Sequence, residues 1–113
     1  MSNRILRLNE VLKRELSQLL LREIEFPKDV LVTVTRVETL PDLSEAIVNI
    51  SVMPETENKK VLRILNSQIY HLQKEINHKL RIRHTPKIRF CREESVCEAA
   101  KIEEVLEKIK KKP

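Results

Sequence analysis

A chain of 113 residues can build one hydrophobic core and is too short for two, so residues 1–113 are expected to form one domain. Lys and Arg number 22 against 17 Asp and Glu, giving a net charge of +5, and the apolar 41% is nearly all aliphatic because Phe26, Tyr70 and Phe90 are the only aromatics. The sequence contains no glycine, where average usage of roughly 7% would supply about eight. That absence excludes Gly-rich phosphate loops and the GXXG clamp of ordinary KH domains, and the scarcity of aromatics argues against an RRM-type stacking sheet. No stretch approaches the ~18 apolar residues of a membrane span. The N-terminus lacks a secretory hydrophobic region, and Glu10 and Glu15 interrupt an otherwise Arg-rich start, which disfavours a transit peptide. Cys91 and Cys97 read as free thiols in a reducing compartment, so a cytoplasmic protein is expected.

Ser2 or Asn3 can cap a first helix in which Ile5, Leu8, Leu12, Leu16 and Leu19 recur every three or four residues. Arg4, Arg7 and Arg14 lie on a flank of that stripe, and Pro27 ends the pattern. A strand is predicted over Val30–Glu38, with Val30, Val32 and Val34 alternating against Thr33 and Thr35. Leu40-Pro41-Asp42 breaks it, Asp42 serving turn chemistry. A second strand over Glu45–Met53 puts Ala46, Val48, Ile50 and Val52 on a buried face and Glu45, Asn49 and Ser51 on a wet one. The short connection makes the pair antiparallel.

Helical period resumes through Val61, Leu65, Ile69, Leu72, Ile76 and Leu80. One helix of that length is long for so small a domain, and Asn66, Ser67 and Gln68 are its poorest helix formers, so a break near the middle is expected. Pro86 opens a third strand, Lys87–Arg92, with Ile88 and Phe90 inward. Ser95 and Glu98 form a capping box for a last helix carrying Ile102, Leu106 and Ile109. Helices layered on one face of a three-stranded sheet bury both kinds of pattern, which defines an α+β class.

The charge is unevenly spread. Residues 74–92 carry seven basic side chains and one acidic one, whereas residues 23–73 carry five and eight. The basic segment comprises Lys74, Lys79, Arg81, Arg83, Lys87, Arg89 and Arg92, and Arg4, Arg7 and Arg14 add a second stripe. Such a concentration fits a surface that displaces counterions from nucleic-acid phosphates; a solvated charged edge that resists aggregation is the plainer alternative. The terminal lysines read as a solvated helix end. His71 and His78 are seven apart, and five residues separate Cys91 from Cys97. Neither spacing suits zinc, no nucleophile–base pair stands out, and no metal or cofactor is expected. Tyr70 could stack on a base, but its helical spacing reads as core or core edge.

The segments VTVTRVETLPDLSEAIVNISV (32–52) and LRIRHTPKIRF (80–90) resemble ribosome-binding factor A of bacteria, and RILRLNEVLKRELSQLLLRE (4–23) and SVCEAAKIEEVLEKI (95–109) fit its two ends. The resemblance implies a KH-like fold of type II topology (α-β-β-α-α-β plus a C-terminal helix), with a three-stranded mixed sheet and helices on one face. It also implies a non-enzymatic assembly factor that binds the free 30S subunit and 16S rRNA late in small-subunit maturation and 5′-end processing of pre-16S rRNA, and that matters most in the cold. In that family an Ala-X-Gly kink joins the two central helices. Its counterpart here is Gln68-Ile69-Tyr70, without the glycine, and a second expected glycine is Ala99.

The RNA-binding residues expected are therefore Lys74, Lys79, Arg81, Arg83, Lys87 and Arg89, extended by Arg4, Arg7 and Arg14. Asp42 and Leu43 are expected to set the strand turn. No apolar surplus demands a dimer, so a monomer is expected. The rivals are a DNA-binding module and a protein-interaction domain whose basic face meets an acidic partner.

Overall fold

In a computed structural model, residues 3–93 are described. The expected last helix, its Ser95–Glu98 capping box, Ala99, Cys97 and the cap at Ser2 lie outside these residues. Helix α1 runs Asn3–Glu23, strands β1 and β2 run Leu31–Thr39 and Glu45–Met53, and a short 3₁₀ turn covers Glu55–Glu57. Helices α2 (Asn58–Ser67) and α3 (Ile69–Leu80) precede strand β3 (Lys87–Arg92). The sheet order is β1-β2-β3, with β1 antiparallel and β3 parallel to the central strand. This is the α+β order read from the sequence, and the long helical pattern is indeed interrupted, at Gln68. There φ is −105° and ψ is 10°, a conformation open to any residue, so the break needs no glycine.

The helical stripes and one face of the sheet share a core. Leu12, Leu16 and Leu19 of α1, Val61 and Leu65 of α2, and Leu72 and Ile76 of α3 pack with Ala46, Val48, Ile50, Val52, Ile88 and Phe90. Each leucine buried completely in this way is worth about 1.5–3 kcal/mol over leaving it exposed.

Two amide side chains fasten helices to the outer margins of the sheet. Asn9 Oδ1 of α1 accepts hydrogen bonds from the backbone N–H of Thr39 (2.9 Å) and from its hydroxyl (2.6 Å) at the end of β1. Gln73 of α3 accepts from the Ile88 N–H through Oε1 (2.9 Å) and donates to the Pro86 carbonyl through Nε2 (3.1 Å).

The alternation of Val30, Val32 and Val34 against Thr33 and Thr35 is kept in β1, and a bulge at Thr35 then shifts the register so that Val37 also turns inward. Three expectations are corrected. Asn49, assigned to a wet face, is only 2% exposed; it lies on the central strand, beside Cys91 in the register, so neither face of the sheet is open at that point. Tyr70 is neither core nor core edge. It is 90% exposed, since Ile69 and Leu72 supply the inward positions just after the break. Cys91 is buried and disulfide-bonded and carries no free thiol.

Candidate nucleic-acid interface

The chain leaves α3 through Arg81, whose φ of 50° and ψ of 37° place it in the left-handed region. Helices commonly end this way on a glycine. With none available, an unbranched arginine adopts the conformation at a cost of about 1–2 kcal/mol. The reversal carries Ile82, Arg83 and His84 back to the first turns of α1. The third wall is the β1–β2 connection, where the N–H of Leu43 closes on the Leu40 carbonyl (2.8 Å) and Asp42 Oδ1 accepts from the Ser44 N–H (3.0 Å) and hydroxyl (2.7 Å). Asp42 and Leu43 thus set the turn, as expected. Leu43 itself sits at a φ of 62°.

Together these segments enclose a groove of about 700 Å³ lined by Asn3, Arg4, Arg7, Leu8, Val11, Leu43, Leu80, Ile82, Arg83 and His84. Its floor is aliphatic and its charged residues are arginines; no carboxylate belongs to the lining described. Arg4 and Arg7 come from one end of the described chain and Arg83 from near the other, so folding joins the two basic stripes at this point.

The other sequence-predicted cations lie elsewhere. Lys79 reaches Glu15 at 3.4 Å, and Arg14 stands 3.7 Å from the same carboxylate, so both are partly neutralised on the α1–α3 flank. Lys74 is exposed on α3, outside the groove lining. Arg81 is exposed and positions the groove rather than lining it. Lys87 and Arg89 are exposed on β3. Ile88 and Phe90 of that strand face the helices, so side-chain alternation directs Lys87 and Arg89 to the opposite face. The basic segment is therefore divided between two faces of the molecule.

At the far end of the helical pair, His71 of α3 hydrogen-bonds Glu23, which Arg22 also approaches at 3.4 Å. The hydrogen bond from His71 is the main cause holding the Glu23 carboxyl below its ordinary value; charge on His71 and Arg22 adds to it, and desolvation opposes it.

Sequence reasoning missed the apolar part of the groove. Two signals were present: an isoleucine between two arginines in the exit segment, and a leucine directly after Pro41-Asp42. Among the described residues, no cluster of three or more His, Cys, Asp or Glu could hold a metal ion.

A three-stranded mixed sheet with α1, α2 and α3 on one face and a basic groove at one end defines a small KH-like α+β protein. The family model for ribosome-binding factor A matches residues 4–106. The ribosome-binding factor A of Halothermothrix orenii is 36% identical over 105 residues, spanning 92% of this chain and 86% of the relative. That of Desulfitobacterium hafniense is 37% identical over 105 residues, spanning 92% and 84%. Thermus thermophilus ribosome binding factor A, a homology model fitted into the cryo-EM map of a 30S complex, matches with a TM-score of 0.63 at 28% identity, over 74% of this chain and 88% of that one. A solution NMR structure from Thermotoga maritima matches with a TM-score of 0.57 at 32% identity, over 74% and 84%. This chain belongs to the ribosome-binding factor A family.

Proposed function

We propose that the protein binds the free 30S subunit through 16S rRNA and acts, as a cytoplasmic monomer without covalent chemistry, in late small-subunit maturation that includes 5′-end processing of pre-16S rRNA. The observation that carries this reading is the convergence of Arg4, Arg7 and Arg83 on one groove without a lining carboxylate, in a family whose Thermus thermophilus member is fitted into a 30S complex. Guanidinium groups gain free energy from phosphates by displacing condensed counterions and by forked hydrogen bonds. A DNA-reading helix-turn-helix is disfavoured, because α2 and α3 are separated by Gln68 alone, shorter than the three- or four-residue turn of that motif.

Sucrose-gradient sedimentation with purified 30S subunits tests the proposal. The parent protein is expected in the 30S fractions and is expected to leave them as salt rises. Replacing Arg4, Arg7 and Arg83 together with Ser is expected to abolish co-sedimentation while circular dichroism still reports a folded chain. A parent protein that stays at the top of the gradient, or a folded triple variant that still travels with 30S, overturns the assignment or removes this surface from it, respectively.

A further inference from the structure

We propose that the groove between the start of α1, the β1–β2 turn and the exit of α3 is a pocket for an unpaired nucleotide, whose base lies on an aliphatic floor while Arg4, Arg7 and Arg83 hold the flanking phosphates. The inference rests on the reading that the chain binds rRNA and narrows it from phosphate attraction in general to capture of a single-stranded segment.

Three observations converge on it. The volume of about 700 Å³ falls within the ~300–1,000 Å³ of pockets that enclose small organic ligands. A surface built only for duplex phosphates needs cations on an open face; an aliphatic concavity contributes nothing to it, whereas an unstacked base presents a flat face that must be covered. Second, the floor is left open. Ile82 is 44% exposed although it is a large aliphatic, and it stands between Arg81 and Arg83. Third, Leu43 occupies the left-handed region at a φ of 62°, where glycine, asparagine or aspartate fits better. Backbone strain of this kind gathers at binding sites, where the side chain it presents is what matters, and here that side chain lines the groove. The charged lining residues are arginines without a lysine among them, and a planar guanidinium can both fork onto a phosphate and stack on a base.

Leu43 makes the test unusually clean, because binding and stability are expected to respond differently to the same substitution. Leu43→Gly suits the local backbone and removes the side chain from the groove. Its thermal midpoint is expected at or above that of the parent, while its affinity for a fluorescein-labelled uridine decamer, read by anisotropy on the full chain, is expected to fall about five- to tenfold, as for losing part of one buried leucine contact. Affinity for a ten-base-pair RNA duplex should stay within about twofold, because the phosphate contacts remain. Ile82→Ser should repeat the loss on the decamer with the duplex unchanged.

The proposal is overturned if both variants keep the parent's decamer affinity, if decamer and duplex weaken equally, or if a Glu- and Leu-rich helical peptide binds the parent more tightly than the decamer does. A parent that sediments with 30S yet does not bind the decamer also overturns it, and leaves the broader reading standing.

Discussion

The α1–α3 flank and the groove beside it use similar side chains to opposite effect. Around Glu23 and Glu15, the cations Arg22, Lys79 and Arg14 and the imidazole of His71 are set against carboxylates. Around the groove, Arg4, Arg7 and Arg83 line a cavity with no carboxylate among its described lining. The net charge of +5 does not distinguish the two. An electrostatic footprint follows from which charges are left facing outward after folding, and not from where the sequence accumulates them.

Breaking that contrast is most direct at the groove. Replacing Arg4, Arg7 and Arg83 with Ser is expected to weaken RNA binding tenfold or more near 0.1 M salt, and to flatten the slope of log K against log salt by about 2–3, as the loss of three phosphate contacts requires. The Arg14→Ser, Lys79→Ser double variant should leave that slope nearly unchanged. Equal slopes for the two variants in a salt titration would dissolve the distinction.

A smaller effect is expected at Asn9, which ties the first half of α1, and with it Arg4 and Arg7, to the end of β1. Asn9→Ala leaves the part-buried Thr39 N–H and hydroxyl without their partner and should cost about 1–3 kcal/mol in urea denaturation. At concentrations where the variant remains folded, RNA binding should weaken more than it does in a variant of equal instability at the far end of the helices.

Glu15→Gln sharpens the comparison from the other side. Removing the half-buried carboxylate shared by the exposed Lys79 and Arg14 should change stability by only about 1 kcal/mol, near the upper end for surface ion pairs, while RNA affinity rises slightly at low salt.

The weakest effect belongs to Glu23. Its carboxyl titrates lower in the folded protein than in the unfolded chain, chiefly because of the hydrogen bond from His71. The stability this contributes is present above the ordinary glutamate value and is lost as pH falls through the depressed one. The gap between the parent and His71→Ala is therefore expected to narrow on acidification in thermal melts; a gap that widens there contradicts the assignment.

Much of the architecture was legible because each element carries its own period. The stripe Leu12-Leu16-Leu19, the alternating Ala46-Val48-Ile50-Val52 and the weak helix formers at 66–68 each specify local structure without help from distant residues. What could not be read depends on the backbone departing from its period or on neighbours far along the chain. The bulge at Thr35 has no marker in the sequence, since threonine fits a regular strand equally well. Asn49 is polar, yet it is buried on the middle strand. Tyr70 follows the helical spacing, but the interruption at Gln68 resets which residues face inward.

The candidate site divides in the same way. Arg4, Arg7 and Arg83 were found from charge alone, while Lys79 and Arg14 could not be separated from them because their pairing with Glu15 crosses between helices. The groove floor depends on a left-handed Arg81 and a left-handed Leu43, conformations that a sequence without glycine does not advertise.

The carboxamides of Asn9 and Gln73 have a consequence beyond anchoring helices. Each occupies an outward-pointing main-chain amide on one of the two lateral strands, so an incoming extended chain would find those positions already taken on both sides. A protein whose strands are rich in valine and isoleucine would otherwise offer a template for sheet growth. The two plugs thus each remove one main-chain donor from the edges at which a further strand would have to pair.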